Sequence, residues 1–201
     1  MATGETRPLR ADAQRNRVRL LEAAVRAFSR DGAEATLDAI AKDAGVGIGT
    51  LYRHFPTREA LVEAAYRNEL ERLCDAAADL LAALPPDQAL RAWMDRFLLY
   101  MSTKRDMADA LRALIAAGGN PFAHSRDRLF AAIGALLDAG ARAGTVRADA
   151  APGDVLASLG GFALTAGQPE QRELAGRLLD LLMDGLRFGS SGEAGAAGAA
   201  R

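Results

Sequence analysis

Two helical patterns, each too short to stand alone and joined at an Ala44-Gly45-Val46-Gly47 corner, occupy residues 36–55, TLDAIAKDAGVGIGTLYRHF. In the first pattern Leu37, Ile40, Ala41 and Ala44 recur at i, i+3, i+4 and i+7, which gathers them on one face of a helix. Thr36 supplies a capping oxygen, and Asp38 places a negative charge in the first turn, where the helix dipole favours it. Gly45 stands where a chain leaving a helix takes a left-handed conformation. Val46 plugs the angle between two crossing helices, and Gly47 occupies the N-cap of the second helix. That second helix, about 48–54, persists only if Leu51 and Phe55 pack on neighbours.

With Leu51 and Phe55 turned inward, Ile48, Gly49, Thr50, Arg53 and the rim residue Tyr52 are left for something outside the protein. A glycine inside a helix costs about 1 kcal/mol against alanine. Gly49 therefore marks either the close approach of another backbone or a nucleobase, or relief of crowding between the helices. Two short helices at a glycine corner, followed by an aromatic and basic cluster, have the layout of a DNA-reading helix-turn-helix.

The residues carrying this layout are locked to one another by fixed offsets. Ile40-Ala41, Ala44-Gly45-Val46, Gly49-Thr50-Leu51-Tyr52, His54-Phe55 and Thr57-Arg58-Glu59-Ala60-Leu61 together resemble the N-terminal domain of the TetR family of transcriptional regulators, over about residues 15–65. One departure is visible: many members carry Ser where Gly47 stands, which implies one phosphate contact fewer. The resemblance implies that the second short helix enters the major groove with Ile48, Gly49 and Thr50 at the base edges. Ile48 would meet a thymine methyl, Thr50 would use its hydroxyl, and Gly49 would allow closeness without a side chain. It further implies phosphate contacts from Tyr52 and His54, for which the alternative is a half-buried structural role. Arg58 would add charge at the start of the next helix, with Thr57 as its cap. Arg53 would reach either a base or a phosphate, and Thr36 or Leu37 would bring backbone N–H groups to the sugar-phosphate chain.

Charge follows the same division. Residues 1–58 hold ten Lys and Arg against seven Asp and Glu, on a chain whose formal net charge is −1. A segregated positive patch fits counterion-releasing contact with DNA, whereas a uniformly basic chain would suggest non-specific coating. Arg7, Arg10, Arg15, Arg17 and Arg19 either extend the patch toward phosphates or a minor groove or belong to a solvated tail. Arginine identity carries little weight, because only Lys42 and Lys104 are lysine and codon bias accounts for the excess. Cys74 has no cysteine to pair with, the polar N-terminus lacks the apolar stretch of a signal peptide, and no apolar run is long enough to cross a bilayer. A cytoplasmic protein with no membrane partner is predicted. His54 and His124 have no ligand-spaced companions, which argues against a metal. No nucleophile, base or phosphate loop stands at matched spacing, which argues against an enzyme, and no cofactor is expected.

The 201 residues are 50% hydrophobic but only 5% aromatic, which suits helices packed through Ala and Leu, and no alternation suggests a sheet. The predicted class is all-α, with an N-terminal three-helix DNA-binding domain and a C-terminal helical ligand-binding and dimerisation domain. The expected divisions are a flexible arm over 1–10, the helix-turn-helix domain over 11–57, the helical domain over 58–188 and a disordered tail over 189–201. Periodicity predicts a first helix over 11–29 that buries Val18, Leu21, Ala24, Val25 and Phe28. One long helix over 58–83 is shared by both halves and stopped by Pro85-Pro86. Helices over 87–102, 105–117, 121–143, 153–166 and 170–188 follow, the last two separated at Gly167-Gln168-Pro169.

The last two helices carry more apolar surface than a single buried face requires. Leu174, Leu178, Leu181 and Leu182 form one stripe, while Leu179, Met183 and Leu186 spread around the cylinder. With Val155, Leu156, Leu159 and Phe162, and with close approach at Gly160-Gly161, they predict a two-fold four-helix interface, which is also how TetR-like proteins dimerise. The alternative buries both faces inside one monomer. The resemblance implies a small-molecule inducer, of unknown identity, among the middle helices. The candidates there are Trp93, Phe97, Tyr100, Met101, Phe122, His124, Arg128 and Phe162, with His124 and Arg128 one turn apart to orient a carboxylate or phenol. Such side chains serve equally well as core. The predicted function is a homodimeric repressor released from a palindromic double-stranded DNA operator by its ligand. The alternative is a helix-turn-helix DNA-binding protein with no small-molecule ligand.

Overall fold

The computed structural model of the protein describes residues 6–165 and 171–187. Among them there is no strand, in keeping with the all-α expectation. The order is α1 (Thr6–Asp31), a 3₁₀ turn (Gly32–Glu34), α2 (Leu37–Asp43), α3 (Ile48–His54), α4 (Arg58–Ala83), α5 (Pro86–Asp106), α6 (Ala108–Ala116), α7 (Ser125–Arg142), α8 (Pro152–Thr165) and α9 (Arg172–Arg187). The 189–201 tail and the Gly167-Gln168-Pro169 break lie outside the described residues.

Several boundaries differ from the sequence expectation for local reasons. Helix α1 begins at Thr6, so half of the expected arm is helical. Helix α5 runs on to Asp106 because no glycine or proline lies between 102 and 108, and Met107 N–H still bonds the Thr103 carbonyl at 3.0 Å. Helix α7 starts at Ser125 rather than 121, after His124 takes a left-handed conformation with φ of 62°. Within α1, Leu21, Ala24 and Phe28 are buried as expected, but Val18 is exposed and Val25 only half-buried, while Leu20, Ala23 and Ala27 complete the inner face.

The chain gathers into two compact units. One comprises Met1–Leu70 with Thr103–Ala123, the other Glu71–Ser102 with His124–Arg201. Helix α4 thus contributes its first half to one unit and its second half to the other, and α6 belongs with the N-terminal helices. In the first unit Leu20, Phe28, Ile40, Leu51, Phe55 and Leu61 are buried, each burial stabilising by roughly 1.5–3 kcal/mol. In the second, Trp93, Met94, Ile133, Leu136, Leu159, Leu179 and Met183 form the core. Arg91 bridges Asp95 and Asp180, at 2.9 Å to the latter, and Arg187 meets Asp87 at 2.7 Å, tying α9 to α5.

Candidate nucleic-acid interface

Local bonding builds the corner before α3. Thr36 accepts from the Ala39 N–H at 3.3 Å, capping α2. At the other end Gly45, with φ of +66°, sends its N–H to Lys42, and Val46 sends its N–H to Ala41, so two carbonyls that the helix leaves unpaired are satisfied. A side chain at Gly45 would strain this reversal. Gly47 then stands at the N-cap of α3 in extended conformation with no side-chain cap, as its missing hydroxyl dictates.

Helix α3 has only seven residues and is held through Leu51, fully buried, and Phe55 just beyond its end. Helix α2 packs on it, offering Ile40, Ala41 and Ala44 from its buried face with Leu37 half-buried. The Arg17 guanidinium lies 5.1 Å from the Phe55 ring centre, a cation–π contact that sequence reasoning missed because it joins α1 to a residue 38 positions on. Nearby basic residues are likewise engaged within α1: Arg15 pairs with Asp12, and Arg19 donates to Asn16 at 2.8 Å.

The opposite side of α3 is open. Ile48 is 36% and Tyr52 50% exposed, Gly49 and Arg53 are exposed, and Thr50 is half-buried. His54 is half-buried, its ring 6.1 Å from that of Phe55. A Cβ added at Gly49 would meet nothing within 4 Å, and its φ is not left-handed. Neither helix crowding nor backbone conformation therefore demands glycine here, and the crowding alternative is set aside. Thr36 is exposed at the start of α2, beside Leu37, where first-turn N–H groups are left without helical partners.

Arg58 departs from the expected phosphate contact. Its guanidinium turns back to the 3₁₀ turn and donates to the carbonyls of Ala35, Gly32 (3.2 Å) and Ala33 (2.8 Å), with Cζ 5.0 Å from the Phe28 ring centre. Five donors on a planar fork suit several carbonyls at once, and stacking on Phe28 removes one face from water. Thr57 caps α4 as predicted, accepting from the Ala60 N–H at 3.1 Å.

The ligand candidates do not assemble as one set. Trp93, Phe97 and Tyr100 are buried along α5, with successive ring centres 5.7 and 6.2 Å apart. Trp93 Nε1 donates to the Leu73 carbonyl at 2.9 Å, so its polar tip serves the core. Met101 and Phe162 are half-buried. Phe122 lies in the other compact unit, edge-on to Tyr66 at 5.3 Å and under the Lys104 ammonium at 4.4 Å. His124 is exposed, while Arg128 is already paired with Glu71 at 3.2 Å and Asp75 at 3.4 Å, so the pair does not present a free cation for a carboxylate. An open depression of about 380 Å³ lies elsewhere, lined by Arg147, Asp154, Ser158 and Leu181 among others.

The interface candidates divide in two. Val155 and Leu159 are buried in the monomer, and packing of α8 on both α7 and α9 leaves them no surface for a partner. On α9, Leu179, Met183 and Leu186 take the inner face, while Leu181 is 68% exposed, Leu174 is exposed at the margin, and Leu178 and Leu182 are half-buried. Leu164 of α8, 82% exposed, was missed. Its signal was present, since α8 is apolar nearly all round.

A capped helix, a left-handed glycine corner and a short second helix with one buried and one open face define a helix-turn-helix DNA-binding protein. Among the described residues no helix is long and apolar enough to cross a membrane, and no group of three His, Cys, Asp or Glu side chains is placed to hold a metal. Residues 20–65 match the profile of bacterial regulatory proteins of the tetR family, and residues 85–188 that of the SbtR-like transcriptional regulator C-terminal domain. The crystal structure of a TetR transcriptional regulator from Streptomyces coelicolor is 57% identical, with 85% of this chain and 98% of that one covered and a TM-score of 0.82. A TetR transcription regulatory protein from Mycobacterium vanbaalenii is 38% identical, with 90% and 99% covered and a TM-score of 0.75. An HTH-type transcriptional regulator of Staphylococcus aureus is 39% identical over 64 residues, 31% of this chain and 35% of that protein, so the chain spans about a third of the length of such curated relatives. The chain belongs to the TetR family of transcriptional regulators, which are DNA-binding proteins and not enzymes.

Proposed function

We propose that the protein is a homodimeric repressor that binds a palindromic operator and leaves it when a small molecule binds its second unit. One observation carries this reading: α3 buries Leu51 and leaves Ile48, Gly49, Tyr52 and Arg53 open on a helix too short to exist for its own sake. Ile48, Gly49 and Thr50 read base edges, Tyr52 and His54 hold phosphates, and the start of α2 at Thr36 and Leu37 offers backbone N–H groups to the same strand. One such helix reads few base pairs, so two copies are needed, set roughly 34–36 Å apart along the groove. Leu164, Leu174 and Leu181 supply apolar surface that a second copy would cover.

Release follows if the ligand prefers a conformation with a different spacing of the two α3 helices. Moving the population from 99:1 to 1:99 requires about 10⁴-fold tighter binding to that conformation. Helix α4, which contributes to both compact units, is the natural carrier of the change. A second reading, DNA binding without any ligand, is supported by the complete burial of Trp93 and its bond to Leu73. Trp93 is the only tryptophan, so its fluorescence reports on ligands that enter this core.

The role split within α3 is tested by binding measurements on a selected duplex and a scrambled one. Tyr52→Phe should weaken both about equally, whereas Thr50→Val should change sequence preference. The same effect from both variants overturns the split.

A further inference from the structure

The turn between α1 and α2 is gripped from two sides by residues distant in sequence. From α4, Arg58 donates to the carbonyls of Gly32, Ala33 and Ala35 while stacked on Phe28. From α6, the Asp109 side chain lies against Gly32: a Cβ placed there would be 3.2 Å from Asp109 Oδ2, and Gly32 has φ of +54°. Helix α6 packs on the turn and belongs to the same compact unit as α1–α3. The residue after Ala35 is Thr36, the cap of α2, so the gripped carbonyls end where α2 begins.

We infer that Arg58 is a positioning residue for DNA recognition, acting through the carbonyls of Gly32, Ala33 and Ala35, and that the Asp109–Gly32 contact makes the placement of α2 depend on α6. This rests on the reading above that α2 and α3 dock on DNA. Three of the five donors of the fork already serve protein carbonyls, through both terminal nitrogens, so the guanidinium is held against the turn while one face lies on Phe28. A lysine in its place would keep the charge and the stem but offers a single ammonium that cannot span three carbonyls. The turn has little else to hold it, being three residues long with no side-chain cap and no buried residue of its own. Displacing it moves the first-turn N–H groups of α2 and, through the packing of α2 on α3, the base-reading face. Because α6 holds the same turn, a shift of α6 reaches α2 without passing along α4.

Arg58→Lys separates the roles. A duplex selected by the wild-type protein from a random pool, and a scrambled duplex of equal length, are titrated at several salt concentrations well below the melting temperature. A positioning role predicts at least a tenfold loss on the selected duplex, unchanged binding to the scrambled one and an unchanged salt slope. A phosphate contact predicts wild-type affinity for Arg58→Lys, and for Arg58→Gln a parallel loss on both duplexes with a slope smaller by about 0.9 per subunit. That pattern, or a lowered melting temperature with no change in affinity, overturns the positioning role. Gly32→Ala, strained at its left-handed φ whatever space it is given, should reproduce the selective loss, and Asp109→Leu, which sets a branched side chain against Gly32 without touching that backbone, should do so too; wild-type discrimination by Asp109→Leu overturns the α6 half. A wild type that does not distinguish the two duplexes overturns the reading of α3 and this inference together. A discriminating wild type beside an unaffected Arg58→Lys overturns this inference alone.

Discussion

Replacing Gly49 with alanine sets the stability of the free protein against its grip on DNA. In the free protein the new methyl group enters open space, with no atom within 4 Å, and the backbone there is ordinary helix, so nothing offsets the gain in helix propensity. That gain is about 1 kcal/mol in a helix interior and nearer half of it in the first turn, where Gly49 lies. For a chain of this size it corresponds to roughly 1–4 °C in melting temperature. On the operator the same methyl group stands where a base edge is to come close, and pushing α3 outward forfeits direct readout worth about 1–3 kcal/mol per half-site, or roughly ten- to a hundredfold in affinity. Differential scanning calorimetry and titration of the selected duplex at fixed salt measure the two effects on one preparation. A variant more stable and weaker on DNA is the expected outcome. Unchanged affinity would refute close approach at Gly49, and a lowered melting temperature would show that the glycine serves the fold after all.

Other positions yield equally direct expectations. Gly47→Ser should add a few tenths of a kcal/mol through an N-cap bond, since Gly47 already holds the extended conformation that a capping serine adopts, and should tighten binding to selected and scrambled duplexes alike; thermal melts and titrations check both. Leu181→Glu combined with Leu164→Glu should leave monomer stability within about 0.5 kcal/mol, because both side chains are largely exposed, yet abolish self-association in sedimentation equilibrium at micromolar concentration. A persistent dimer would move the interface elsewhere. Burial raises the pKa of the half-buried Cys74 thiol, so at pH 8 less of it is thiolate than in the unfolded chain. Iodoacetamide followed by mass spectrometry should show slow alkylation of the folded protein and faster alkylation in denaturant; equal rates would contradict that shift.

Features that depend on neighbours along the chain are legible in the amino-acid sequence. Thr36 and Thr57 cap the helices their positions foretell, Gly45 reverses the chain after α2, and Leu51 and Phe55 anchor α3, because caps, turns and short periodicities are governed by bonds spanning a few residues. Gly49 can be flagged from sequence but not interpreted, since only the empty space around it separates crowding from outward closeness. Arg58 defies the sequence expectation because a long arginine stem can point outward to a phosphate or inward to carbonyls, and the deciding acceptors lie 23 to 26 residues upstream. Helix α9 poses the same problem in apolar form. Its composition announces two hydrophobic faces, and only packing within the second unit assigns Leu179, Met183 and Leu186 to the inside and leaves Leu181 in solvent.

Sequence by itself therefore determined the helical class, the helix-turn-helix and the face of α3 left open, all consequences of short-range bonding and pattern. Tertiary structure decided which way Arg58 turns, which stripe of α9 is covered, and that Trp93 and Arg128 are committed to partners within the fold. Those choices belong to contacts between segments far apart in the chain, whose energies exist only once the segments have met.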